Sequence, residues 1–172
     1  MIKKLILAIG VLLLILSCSK GDEEEFVPTD VFVKIKPEYT IKETFDFLNS
    51  FDHTVEYVGY QVFRSNMPTD SLNYTLNLLN SKSYTNSGAW EVYGSVVDDY
   101  FVIRPRLFGI HNTDYQKDWL ESMKLLQLDD FLDENYGGRL IFFHVPKGKE
   151  NYWKDKFLEY EMVEYTELNQ LE

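Results

Sequence analysis

The chain has 172 residues, 45% of them hydrophobic and 26% charged, with 17 basic against 28 acidic side chains for a net charge of −11. This composition excludes a disordered chain, and the length sets one domain as the default. The acidity argues against nucleic acid as a partner, because phosphate neutralisation needs clustered Lys and Arg, and the lone Cys18 excludes an internal disulfide framework and a cysteine-based zinc site.

Lys3 and Lys4 open the chain with positive charge, and Leu5 to Leu16 follow as 12 uncharged residues. That run has the length of a signal-peptide apolar region and falls short of the ~20 residues that span a bilayer. It ends in Ile15-Leu16-Ser17-Cys18. The order of positive charge, apolar run, small residue and cysteine resembles a bacterial lipoprotein signal, although Leu16, two before the cysteine, departs from the commonest pattern. The resemblance implies cleavage after Ser17 and a lipid on Cys18. Each buried methylene contributes ~0.8 kcal/mol, so two or three acyl chains would anchor the protein to a membrane permanently. Loss of Lys3 and Lys4 with residues 1–17 deepens the net charge to −13. A body so acidic is repelled by anionic headgroups, which suits a domain held off the surface on a tether.

Residues 18–29 read as that tether, with Asp22 to Glu25 acidic and Pro28 near its end. An acidic stretch just after the lipidated cysteine also resembles the export signal of surface-displayed lipoproteins in some Gram-negative bacteria; a solvated linker is the alternative. The expected location is therefore the bacterial cell envelope, lipid-anchored, at the outer membrane. Residues 30–172 form the expected single domain.

Val31, Val33 and Ile35 alternate with Phe32, Lys34 and Lys36, which predicts a strand. Thr40-Ile41-Lys42-Glu43 reads as a capping box, followed by Ile41, Phe45 and Leu48 on one helical face and a break at Asp52-His53. Val55 to Arg64 is aromatic and β-branched, a second strand. Pro68 opens a helix capped by Thr69 or Asp70, with Leu72, Leu76 and Leu79 inward. After a turn at Asn86 to Gly88, Trp90–Val97 and Tyr100–Arg104 predict a strand pair joined at Asp98-Asp99. Thr113 to Gln116 reads as a second capping box, with Tyr115, Trp119, Met123 and Leu126 on the helix face behind it. A loop at Asn135–Gly138, a strand from Leu140 to Val145, a helix over Lys149–Tyr160 with Trp153 and Phe157 inward, and a strand over Val163–Leu168 complete the order. The expected fold is α+β, a mainly antiparallel sheet covered by helices with ferredoxin-like βαβ units.

Val145 to Glu150, Trp153, Val163-Glu164-Tyr165 and Glu167-Leu168-Asn169 resemble the closing β-α-β of subtilisin propeptides, ferredoxin-like domains that chaperone and inhibit their protease. The resemblance implies a split β-α-β over Leu140–Leu168 and a tail, Asn169 to Glu172, able to enter a protease cleft. The long middle of the chain, Asp70 to Asp130, departs from that pattern.

Catalytic signals are sparse. His53, His111 and His144 are scattered without metal-ligand spacing, and Asp129, Asp130, Asp133 and Glu134 lack the spacing of a calcium loop, so they read as a solvated helix end. Nucleophile-elbow, Walker and dinucleotide motifs do not occur. Aromatic residues reach 16%, and most of them are expected in the core. Tyrosine keeps a wet hydroxyl while its ring stacks on sugars or anchors a protein, so Tyr57, Tyr60, Tyr84 and Tyr93 are the candidate binding aromatics. The expected function is a non-enzymatic, protein-binding envelope module without cofactor or metal. Glycan binding, protease inhibition and an envelope hydrolase are the alternatives.

Overall fold

The computed structural model describes residues 26–132 and 137–171. Ser17, Cys18 and the tether as far as Glu25 lie outside the described residues, as do Asp133, Glu134 and Asn135. The described chain forms β1 (Phe26–Ile35), α1 (Ile41–Leu48), β2 (Thr54–Gly59), β3 (Phe63–Ser65), α2 (Leu72–Asn80), β4 (Tyr93–Val97), β5 (Tyr100–Arg104), β6 (Leu107–Phe108), α3 (Thr113–Leu125), β7 (Leu128–Asp130), β8 (Leu140–His144), α4 (Glu150–Phe157) and β9 (Val163–Gln170). The fold is α+β.

Two antiparallel sheets divide the strands. The first has the order β6-β2-β8-β1-β9 and the second β4-β5-β3-β7. Without β6, the first sheet is built by β1-α1-β2 and β8-α4-β9 with β8 and β1 at its centre, the ferredoxin-like arrangement of two interlocked βαβ units. Both β8 and β9 run antiparallel to β1, which lies between them, so residues 140–170 form the split β-α-β. The 80 residues between Gly59 and Leu140 are an insertion relative to that plan, and they build the second sheet with α2 and α3.

One core serves both sheets. Val31, Val33, Ile35, Ile141 and Phe143 leave the first sheet on one face and are fully buried. Phe157 of α4 stacks on Phe143 at 4.7 Å, with Phe47 of α1 within 6.2 Å of both. In the second sheet, Phe63, Phe101 and Ile103 are buried, and Trp119 of α3 meets Phe63 edge-on at 5.3 Å. Each such side chain removed from water contributes about 1.5–3 kcal/mol.

The capping box on α1 is present: the Glu43 amide donates to Thr40 Oγ1 at 3.3 Å, and Thr40 donates its amide to the Glu43 carboxylate at 2.8 Å. The other helix starts differ from the sequence reading. Asn112, not Thr113, caps α3 by accepting from the Asp114 amide at 2.9 Å. A 3-10 turn over Thr69–Ser71 precedes α2, and neither has a side-chain cap. The last helix is shorter than Lys149–Tyr160, and Glu150 at its first turn points back, its Oε1 accepting the Thr29 and Gly148 amides at 2.9 Å each.

Strand boundaries differ too. The first strand begins at Phe26, paired with Gln170, so the last residues read as tether belong to the sheet. Asp129 and Asp130 are not a solvated helix end; they lie in β7, opposite Arg64 and Phe63. The Val55–Arg64 run is two strands in different sheets. Tyr60 breaks it with φ +54, a left-handed conformation costing a non-glycine residue about 1–2 kcal/mol. The turn at Asp98-Asp99 joins β4 and β5 as expected, with Asp98 at φ +51.

Candidate functional site

The crossing from the first sheet to the second, at Tyr60 to Val62, forms the floor between two depressions. One is a groove of about 240 Å³ lined by Gly59, Tyr60, Gln61, Trp90, Glu91, Tyr93, Arg104, Pro105 and Arg106. The other, on the far side of Tyr60, is a cavity of about 400 Å³ with mainly apolar walls that include Pro37, Val62, Phe131 and Leu132.

Backbone economy explains the first groove. Trp90 to Val92 was expected to begin a strand, yet Asn80 at the end of α2 replaces the missing ladder. Its side chain accepts from the Val92 amide at 2.7 Å and donates to the Val92 carbonyl at 3.0 Å. Asn86 ties the same corner, accepting from the Gly88 amide at 2.8 Å. Trp90 is thereby held over the groove with 47% of its surface exposed. Tyr93, 51% exposed, pairs across the strand with Arg104 and lies 6.0 Å from its guanidinium. Two residues on, Arg106 sits 3.6 Å from the Trp90 ring centroid and 4.2 Å from that of Tyr57.

Gln61 is buried at 3% exposure beneath both depressions. Its amide nitrogen donates to the Val58 carbonyl at 3.2 Å, and its Oε1 has no hydrogen-bond partner. On the other side of Tyr60, Lys34 Nζ donates to the Gly138 carbonyl at 3.0 Å and lies 5.7 Å from the Tyr60 ring. Burial pulls the Lys34 ammonium below its ordinary pKa, against the raising effect of Glu164. Lys34, Arg104 and Arg106 thus gather around Tyr60 in a chain of net charge −11.

Three of the four candidate tyrosines therefore lie in one neighbourhood: Tyr57, half-buried under Arg106, and the exposed Tyr60 and Tyr93. Tyr84 does not. It is 3% exposed, and its hydroxyl donates to Asp118 at 2.5 Å, beside the Lys82–Asp118 ion pair at 2.7 Å. Burial together with that carboxylate raises the Tyr84 pKa far above its ordinary value. Trp90, Arg104, Arg106 and Gln61 were not singled out in the sequence. The available signal was Arg104-Pro105-Arg106, a paired basic run in an acidic chain.

The histidines occupy separate places. His53 stands edge-on to Trp153 at 4.2 Å with its Nε2 buried and unpartnered, and burial lowers its pKa against the opposing pull of Asp52. His111 Nδ1 contacts the Val55 backbone. His144 lies between two carboxylates, with Nδ1 3.0 Å from Asp30 and Nε2 3.2 Å from Glu56. Asp30 also accepts from Asn169 of β9 at 2.9 Å. His144 of β8 is thereby tied to Asp30 of β1 and lies beside Glu56 of β2.

The buried Arg139 lines the larger cavity and pairs with Asp130, whose carboxylate also accepts the Ile41 amide at 3.2 Å at the start of α1. Burial lowers the Arg139 pKa to about 10, which leaves it charged at neutral pH. Among the described residues no group of His, Cys, Asp or Glu is placed to hold a metal ion, and no helix is long and apolar enough to cross a membrane. The tail that the propeptide resemblance sends into a protease cleft is held in β9 as far as Gln170. Comparison with protein-family models, with curated proteins and with solved structures found no match.

Proposed function

We propose that the protein is a lipid-anchored binding module of the bacterial cell envelope, exported by its signal segment, held at the outer membrane by lipid on Cys18, and binding glycan in the groove beside Tyr60. The observation that carries the reading is the cluster of exposed Trp90, Tyr60 and Tyr93 around a concave, partly polar groove. Exposed aromatic planes contribute large contact area at small conformational cost, and sugars offer matching apolar ring faces. The Asn80 bonds fix the Trp90 corner before any ligand arrives, which lowers the entropic cost of binding. No catalytic step is assigned to the protein.

The test is retention of the full-length chain, in neutral detergent, on immobilised bacterial envelope polysaccharides, compared with Trp90→Ala and Tyr93→Ala. Retention lost in both variants, with unchanged unfolding midpoints, supports the reading. Equal retention of all three proteins overturns it.

A protein partner is the second reading. It rests on β9, an eight-residue strand at the edge of the first sheet, which offers a main-chain ladder for strand addition.

A further inference from the structure

We infer that the groove beside Tyr60 is one end of a longer track, along which a linear polysaccharide lies with one sugar ring against Trp90 and Tyr93 and further rings over Tyr60 and out to Tyr165. The inference rests on the glycan-binding reading above and adds the length of the ligand. The first argument is register. Tyr165 of β9 stands opposite Lys34 of β1, Lys34 opposite Leu140 of β8, and Leu140 opposite Gly59 of β2. Residues paired in this way project from the same face, so the four form one row across four strands. Neighbouring strands lie about 4.8 Å apart, which makes the row about 14 Å long. It runs into the groove, because Gly59 and the Tyr60 that follows both line it.

The second argument is that the row is open. Phe47 of α1 and Phe157 of α4 pack against Phe143, on the opposite face of the sheet. Tyr165 and Tyr60 are exposed, and Lys34 and Leu140 between them are half-buried. The two tyrosines are neighbours. Lys34 Nζ lies 5.7 Å from the Tyr60 ring, and burial raises the Tyr165 pKa with Glu167, Glu164 and Tyr60 adding to it. Among the described residues six tyrosine and tryptophan side chains are exposed, and four of them, Trp90, Tyr93, Tyr60 and Tyr165, stand along this one line.

The third argument is shape. The groove volume of about 240 Å³ lies below the ~300–1,000 Å³ of drug-sized sites, so it takes about one ring, and the next rings of a longer chain rest on the surface beyond it. A protein partner is held chiefly by anchors clustered near the centre of a compact interface. Here the exposed rings are strung out from the second sheet to the edge strand of the first, which fits a linear polymer with a ring face at every repeat. Stacking on such rings supplies contact area without a hydrogen-bond partner in the track. Each further sugar is added to a chain already held in the groove, so affinity rises with chain length.

The experiment is calorimetric titration of the full-length chain in neutral detergent with two series of probes, β-1,4-linked oligomers of N-acetylglucosamine and of glucose, each from dimer to hexamer. The expected result is a hexamer bound about 10- to 100-fold tighter than the dimer in at least one series. Tyr165→Ala is expected to lower hexamer affinity about tenfold and to leave the dimer unchanged, whereas Trp90→Ala weakens both. Tyr165→Phe, which keeps the ring, is expected to bind the hexamer as the native chain does. Tyr165→Thr, which keeps strand propensity, serves as an independent variant should Tyr165→Ala lower the unfolding midpoint. Dimer and hexamer bound equally would overturn the track and leave the glycan reading standing. A hexamer advantage that survives the loss of the Tyr165 ring would overturn the track as well. Binding of no oligomer would overturn the track, and with no polysaccharide retention either it would overturn both readings.

Discussion

Arg106 lies 3.6 Å from the centroid of Trp90, closer than any other cation and ring in the described structure, and the pair joins the second-sheet insertion to Tyr57 of the first sheet. A contact of this kind contributes about 0.5–1 kcal/mol where solvent reaches it. In a double-mutant cycle of Arg106→Ala and Trp90→Ala, urea unfolding is expected to give a coupling of that size. Additive effects within error would mean that the stack is not maintained in solution.

Trp119 tests the second sheet. Its ring is fully buried against Phe63, and its Nε1 has no hydrogen-bond partner. Trp119→Ala is expected to destabilise by about 3–5 kcal/mol, because the ring leaves a cavity. Trp119→Phe is expected to cost much less, since it keeps most of the volume and removes an unsatisfied donor. Chemical denaturation of both variants separates the cavity from the polar contribution.

How the sequence encodes this arrangement differs between the two halves. Alternation at Val31 to Ile35, the Thr40–Glu43 box and the Asp98-Asp99 turn are local signals, and each produces its element. The two βαβ units are legible because their hydrophobic periods match local geometry. The split between β2 and β3 is not, because Tyr60 has strong strand propensity and adopts φ +54 only where two sheets pull the chain apart. Asp129 and Asp130 likewise read as helix-end charges until β3 supplies a ladder partner. Aromatic content flagged three of the groove tyrosines. The arginines went unmarked, because Arg104-Pro105-Arg106 acquires meaning only when the Trp90 corner folds over it.

Acid is expected to unfold the protein in two steps. Burial lowers the folded-state pKa of His53, so protonation favours the unfolded chain, where the value is about 6.5. This contribution is complete above pH ~6.5 and declines as pH falls through that value toward the lower folded one. Burial alone would raise the Glu150 pKa, but the Gly148 and Thr29 amides outweigh it and the net shift is downward. Its contribution is complete above the unfolded value of about 4.3 and is lost as pH falls through the folded one. Urea midpoints measured from pH 8 to 3 should show both declines. His53→Gln should flatten the upper step and Glu150→Gln the lower. A profile unchanged in both variants would assign the acid response to other groups.

The anchor has its own test in the bacterial envelope. If Cys18 carries the lipid, Cys18→Ala abolishes incorporation of labelled palmitate and leaves the precursor uncut. A variant that is still processed after Ser17 and remains on the membrane would locate the attachment elsewhere.

If the groove binds saccharide, Tyr60 sets folding against binding at one residue. Its φ of +54 is strained for a tyrosine, while its ring is 52% exposed and contributes little to the core. Glycine adopts that conformation freely and relieves about 1–2 kcal/mol, against an entropy cost of roughly 0.5–1 kcal/mol in the unfolded chain. Tyr60→Gly is therefore expected to leave stability unchanged or to raise it by up to about 1.5 kcal/mol. The same substitution removes the wall shared by the groove and the cavity, and with it the contact between Lys34 and the ring. Saccharide affinity should fall at least tenfold while the unfolding midpoint holds. A stable Tyr60→Gly protein that binds as tightly as the native chain would remove Tyr60 from the site. A loss of more than about 1 kcal/mol would show instead that the ring is part of the packing that joins the two sheets. Strain of this kind persists only where surrounding structure or function returns something for it, and the two outcomes separate those returns.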